Sequence, residues 1–227
     1  MYAEIARKAA AEGAVLLRNE KEVLPLKKGE KLVVFGRIQF HYYKSGTGSG
    51  GMVNTKYVVG ILDALKEEIK LKQELEQVYR EWIKENHFNC GEGWGQEPWS
   101  QEEMLEKVCI TFKRVIVVLN VGSIIDKNWV ETYKPQAVLY TWQGGMEGGH
   151  AVADILMGRV NPCGKLADTI AREIKDYPSA ANFGGEEGNQ YVEDIYVGYR
   201  YVETFAKEKV LYPFGYALSY TSFEIKN

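Results

Sequence analysis

Cysteine, histidine and proline are scarce: three, three and six among 227 residues. Cys90, Cys109 and Cys163 are odd in number and widely spaced, and none has a histidine at metal-ligand spacing, so the sequence offers neither a disulfide framework nor a zinc pattern. Free thiols in a reducing compartment are the expectation. No stretch approaches the roughly 18 consecutive apolar residues of a membrane helix. Residues 1–18 are Ala-rich and amphipathic, without a signal peptide's apolar core or cleavage site, so a cytoplasmic location is expected. A charge excess is missing too. At a formal −3, no broad cationic surface is available for phosphate backbones or anionic lipids, which argues against nucleic-acid and membrane partners.

What is present is the balance of a globular protein, 45% hydrophobic and 26% charged residues, enough to bury a full core in one domain. Ile5, Ala6, Ala9, Ala10, Gly13, Ala14, Leu16 and Leu17 lie near one face at helical spacing and predict a helix to about Asn19. A turn with Pro25 and Gly29 then delivers an apolar run over residues 31–36, read as a strand covered on both faces. Helical spacing predicts helices over about 57–69, with Asn54 or Thr55 as cap, 75–83, 102–113, 124–132 and 148–157. Apolar runs at 115–119, 137–142 and 165–170 read as strands. The alternation argues for a three-layer α/β/α sandwich, a mostly parallel sheet flanked by helices. From Asp176 the chain turns aromatic and irregular, a tail wrapping the domain and ending in a strand at 218–225.

Residues 46–51, Gly-Thr-Gly-Ser-Gly-Gly, satisfy the spacing of a dinucleotide fingerprint. They do not turn directly out of the strand, because residues 37–44 intervene, and no acidic residue closes a second strand about 20 residues on. A flexible or interface loop is expected there, and no cofactor is implied. His41, His87 and His150 are isolated, and no Gly-x-Ser-x-Gly elbow joins a strand to a helix, so a Ser-His-Asp hydrolase is not supported. Residues 86–101 form an aperiodic loop with Gly91, Gly93, Gly95, Trp94, Pro98 and Trp99. Glu92 sits beside Trp94, and an aromatic wall both stacks on sugar rings and raises a carboxyl pKa by desolvation. Glu97, before Pro98 and Trp99, is the second such acid; solvated loop acids are the plainer reading of both. Trp142-Gln143-Gly144-Gly145 falls at a strand's C-terminal end, where α/β sheets collect ligands, although its glycines equally suit close helix packing.

Four blocks then stand out in order. They are Glu12-Gly13-Ala14-Val15-Leu16-Leu17-Arg18-Asn19 with Leu24-Pro25-Leu26; residues 142–149 through Ala153-Asp154-Ile155-Leu156, Gly158 and residues 161–166; Asp194-Ile195-Tyr196-Val197-Gly198-Tyr199-Arg200-Tyr201; and residues 212–221. Together they resemble the C-terminal domain of family 3 glycoside hydrolases, the β-glucosidases among them. The resemblance implies an α/β sandwich that packs in the complete enzyme against a (β/α)₈ barrel, which carries the nucleophilic Asp and shares a β-glucoside site with it. A barrel needs about 250 residues, so the chain does not hold both. The Met just before the first block points to the subgroup in which this domain comes first.

The resemblance also implies a strand, and a loop with the acid/base Glu, before residues 115–119. Here Gln101-Glu102-Glu103-Met104 runs straight into Leu105-Glu106-Lys107-Val108, so a deletion near residues 104–105 is expected to have removed both. Cys163 stands where the family turn usually has Ser, and Ala217 where the tail usually has Gly, a substitution costing on the order of 1 kcal/mol if that position needs a positive φ. The expectation is a β-glucosidase-related domain without independent hydrolysis. Ser49, Trp94, Glu97 and Trp99 are its candidate sugar contacts, with β-glucoside or glucose as ligand. Glu92 is the one candidate catalytic carboxyl, although it lies in the preceding loop and does not inherit the acid/base role. A homo-oligomer covering the vacated sheet edge, or a sugar-binding module, are the other readings.

Overall fold

The computed structural model describes residues 1–46, 53–69, 71, 73–85, 101–185, 187–222 and 224. Helix α1 (Tyr2–Gly13) leads into strand β1 (Val15–Asn19), and α2 (Ile61–Glu68), α3 (Gln73–Glu85) and α4 (Gln101–Thr111) precede β2 (Ile116–Leu119). Then follow α5 (Asn128–Tyr133), β3 (Ala137–Tyr140), α6 (Gly148–Leu156), β4 (Ile170–Ala171), α7 (Tyr199–Phe205) and β5 (Val210–Tyr212). The main sheet has the order β1-β3-β2, with β3 parallel to β2 and antiparallel to β1; β4 and β5 form a separate antiparallel pair.

Alternate residues of β1 and β3 feed two cores, as a strand's two-residue period requires. Leu16, Ala137 and Leu139 face a layer of α1, α2 and α6 residues, including Ala11, Leu65, Ala151 and Ile155. Val15, Leu17, Val138 and Tyr140 face the other way, onto Val130, Leu166, Ile170 and Tyr212. Ala137 to Tyr140 have no exposed surface at all. This is the expected sandwich, around a smaller and mixed sheet.

Several expected elements come out differently. The first helix stops at Gly13, and residues 15–19 are strand, because Val15, Leu16 and Leu17 gain more by pairing with Tyr140 and Leu139 and burying both faces than by extending a solvent-side helix. Residues 31–36 form no strand; only Leu32 makes a bridge, to Leu71. The run at 165–170 is strand at its end alone, and the tail contributes β5; among the described residues of 218–225, Leu218 bridges Leu16 singly. Helix α2 begins after Gly60, whose amide donates to the Asp63 carboxylate, so neither Asn54 nor Thr55 caps it. The left-handed turn of the tail falls on Gly215 at φ +77°, and Ala217 is not among the residues with positive φ, so it carries no such strain.

Candidate functional site

The parallel pair β2 and β3 ends on one rim, and the side chains there are arranged by an internal hydrogen-bond network. Asn120, directly after β2, is 4% exposed. Its Oδ1 accepts from Tyr43 N at 2.8 Å, and its Nδ2 donates to the Tyr43 and Trp142 carbonyls at 2.9 and 2.6 Å. One amide thus joins the segment after residue 36 to the ends of both strands. Trp142 leaves β3 at φ +52°, a left-handed conformation that costs a non-glycine residue and persists only where surroundings fix it. Its ring lies 4.3 Å from that of Tyr140, and its Nε1 donates to the Gly13 carbonyl at 3.1 Å.

Of the two glycines whose role the sequence left open, Gly144 is a packing residue, since a Cβ there would stand 2.6 Å from the Tyr42 hydroxyl, whereas Gly145 has open space and a φ of +68°. Tyr42 Oη accepts from Gly144 N at 3.0 Å, and a Cβ on Gly148 would stand 1.6 Å from that hydroxyl. A Cβ on Gly149 would stand 2.1 Å from the Gly60 carbonyl oxygen. The block lets α6 approach Tyr42 and the start of α2 to a distance no side chain permits. Burial pushes the Tyr42 phenol up to about 12, so it stays a neutral hydrogen-bonding group. Lys44 Nζ donates to the Val53 carbonyl at 2.6 Å and to Thr55 Oγ1 at 3.2 Å.

Behind the rim, α6 and the residue that precedes it hold two buried carboxylates. Glu147 accepts from Tyr57 Oη at 2.5 Å and pairs with His150 Nδ1 at 2.7 Å, while His150 Nε2 faces Glu67 at 3.2 Å. Asp154 takes Arg7 through Nε and Nη2 at 2.5 and 2.7 Å, and Arg159 Nε at 2.5 Å. Burial alone would raise both carboxyls. The hydrogen bonds from Tyr57 and His150 in one case, and from Arg7 and Arg159 in the other, outweigh it and hold both below the usual carboxylate range. A carboxylate committed in this way to structural donors is no proton donor near neutral pH. On the opposite layer, Lys127 has no exposed surface; its Nζ donates to the Ile125 carbonyl at 3.0 Å and lies 4.4 Å from the Tyr140 ring centroid. Burial pushes this amine down to about 7, with nearby Asp126 opposing.

Ser49, Glu92, Trp94, Glu97 and Trp99 lie outside the described residues, as do His87 and Cys90. Cys109 and Cys163 are free thiols. His41 accepts from Arg37 Nε at 3.3 Å, and burial followed by the Arg37 charge lowers its pKa. The residues that build the rim, Tyr42, Tyr43, Asn120 and Trp142, were not singled out individually by sequence reasoning. The position of Asn120, a polar residue ending the apolar run 115–119, is the one signal that could have found it. Among the described residues, no cluster of three His, Cys, Asp or Glu could hold a metal ion, and no helix is long and apolar enough to cross a membrane.

Comparison with known proteins adds a consistent set of likenesses. The model of the glycosyl hydrolase family 3 C-terminal domain matches residues 14–220. A β-glucosidase of Ruminococcus albus is 46% identical over 272 aligned positions, covering 99% of this chain and 29% of its own length. β-Glucosidase A of Butyrivibrio fibrisolvens is 34% identical, over 100% of this chain and 36% of its own. Among solved structures, a β-glucosidase of Paenibacillus barengoltzii superposes with a TM-score of 0.83 at 45% identity, over 97% of this chain and 30% of that one. β-Glucosidase 3B of Thermotoga neapolitana in complex with glucose superposes with a TM-score of 0.84 at 34% identity, over 98% and 39%. The chain therefore spans about a third of the length of these relatives.

Proposed function

Because this chain belongs to the glycosyl hydrolase family 3 C-terminal domain family, we propose that it serves as the sandwich half of a β-glucoside-hydrolysing enzyme and performs no hydrolysis by itself. The observation that carries this reading is coverage. The family match runs over residues 14–220, and 227 residues leave no room for a barrel of about 250. The chemistry agrees. A glycosidase needs two carboxyl groups flanking the scissile bond, whereas Glu147 is held by Tyr57 and His150 and Asp154 by Arg7 and Arg159.

In this reading the barrel is supplied by another polypeptide or by further chain. The exposed apolar tail supports such a partner: Tyr191, Val192, Ile195, Val197, Phe205 and Phe214 are between 49% and 93% exposed. Ser49, Trp94, Glu97 and Trp99 would then face the sugar. A cytoplasmic location is part of the same reading and is supported by the two free thiols.

The shortening near residues 104–105 is also proposed. The alignment with the Ruminococcus albus relative is longer than this chain, so that relative holds positions with no counterpart here. Incubating the purified chain with an aryl β-glucoside tests the lack of independent activity. No release of the aryl alcohol is expected; turnover that tracks the protein and disappears in Glu92→Gln would overturn the reading.

A further inference from the structure

Helix α7 and the turn before it form an open concavity of about 480 Å³, within the range of small-molecule sites, lined by Ile195, Tyr196, Tyr199, Arg200, Glu203 and Thr204. None of these is a rim residue. The chain folds into this shape at Gly198, whose φ of +58° with ψ of −124° is a combination open in practice to glycine. That reversal sets Ile195 and Tyr196 against the side of α7 that carries residues 199, 200, 203 and 204, which helical spacing places together.

Four of the six lining side chains are held in place by their neighbours. Tyr199 stacks on Phe214, with ring centroids 4.6 Å apart and planes 25° from parallel, and Tyr196 meets the Phe205 ring edge-on at 4.7 Å. Glu203 Oε1 accepts from Phe214 N at 2.6 Å and from the hydroxyl of Thr169, a residue with no exposed surface. Arg200 Nη1 donates to the Ile195 carbonyl at 3.4 Å, and its guanidinium lies 5.8 Å from the Tyr199 ring centroid. The lining is therefore fixed before a ligand arrives, which lowers the ordering cost of binding. Both bonds of Glu203 fall on Oε1, so Oε2 remains for an occupant, as do further N–H groups of Arg200.

We infer that this concavity is a binding site for a neutral pyranoside. The chemistry of the occupant follows from the lining. Tyr196, 37% exposed, supplies open ring surface for the C–H face of a sugar, while Arg200 offers a planar fork of donors and Glu203 an acceptor for the hydroxyls along the sugar's edge. One cation and one anion leave the site without net charge, so it has no electrostatic preference for a phosphate or an acidic peptide. A purely apolar side chain from another protein would desolvate both charged groups without pairing either. That the sugar is a β-glucoside rests on the proposed function; that the occupant is a pyranoside does not. Of the six exposed apolar residues assigned above to a partner, Ile195 alone lines the concavity, so the two surfaces share that one residue.

The test titrates the isotopically labelled full chain with methyl β-D-glucopyranoside and follows the backbone amides and the Arg200 Nε–H by NMR, with sorbitol as an acyclic polyol control. Saturable shifts confined to residues 195–204 and 214, reached by about 50 mM glycoside and absent with sorbitol, are the expected result. Arg200→Ala and Tyr196→Ser, both at exposed side chains, should each weaken binding roughly tenfold with thermal unfolding close to that of the unmodified chain. The shift map of the unmodified chain needs neither variant to fold. No saturable shift, shifts centred elsewhere, equal shifts with sorbitol, or unchanged binding in both variants would overturn the proposal. So would shifts of residues 195–204 on dilution without sugar, which would mean that a second copy of the chain occupies the concavity. Hydrolysis of an aryl β-glucoside by the chain would sink the proposed function and leave this binding result standing; failure of binding here leaves the proposed function standing.

Discussion

Asn120 donates to the Trp142 carbonyl at 2.6 Å while its own carbonyl oxygen takes the Tyr43 amide, so a single buried side chain ties two strand ends to a distant loop. Two of its bonds are donated and one is accepted, which only an amide provides. Asn120→Ala should lower stability by about 1–3 kcal/mol by removing its three buried hydrogen bonds to Tyr43 and Trp142. Asn120→Asp should cost at least as much at neutral pH, since a carboxylate cannot donate to either carbonyl. Urea unfolding of both variants checks this, and an Asp variant as stable as wild type would contradict the assigned network.

Gly148 and Tyr42 should be coupled. Gly148→Ala places a methyl inside the Tyr42 hydroxyl and should cost about 1–3 kcal/mol or more through overpacking. Tyr42→Phe alone loses the bond from Gly144 N, worth about 1 kcal/mol. The double variant should be more stable than the sum of the two losses predicts, because phenylalanine removes the nearest clash, the hydroxyl at 1.6 Å, and leaves the ring carbon at 2.6 Å. Strict additivity in a double-mutant cycle would show that the contact is relieved elsewhere.

Lys127 makes stability depend on pH. Its folded pKa, about 7, lies below the unfolded value near 10.4, so between these limits the unfolded state binds more protons and stability rises with pH. Below pH 7 both states are charged and the full penalty applies. Lys127→Met removes the term. The variant's advantage should be largest at pH 6–7 and shrink as pH rises, by up to about 1.4 kcal/mol per pH unit. Unfolding measured at several pH values decides it; a pH-independent difference would mean that Lys127 is solvated.

Asp154 carries the opposite dependence. Its folded pKa is depressed, so the stability it contributes is present above its unfolded value near 3.9 and is lost as pH falls through and below that value. Asp154→Ala removes the carboxylate between Arg7 and Arg159, whose exposed ends let water screen the loss, and should cost about 1–3 kcal/mol at pH 7. The loss should be smaller in acid. Thermal unfolding at pH 7 and pH 3 gives both values.

How much of this was legible in advance depends on where the deciding contacts lie. The helical periodicity of residues 148–156 is local, and α6 forms where it predicts. The class of fold follows from the alternation of apolar runs and helices, and the family from ordered blocks that each keep their own spacing. These are properties of the chain by itself, because they depend on neighbours a few residues apart.

Tertiary structure decided what involves distant partners. Val15, Leu16 and Leu17 fit either a helix or a strand, and the availability of β3 settled them as strand. Residues 31–36 have an equally good strand composition but no ladder partner toward β2, and a strand is not stable without its neighbours. Gly144 could have served a ligand, and the approach of Tyr42 made it a packing residue. Composition supplies the groups that can pair or pack; only the fold determines which distant group arrives to meet them.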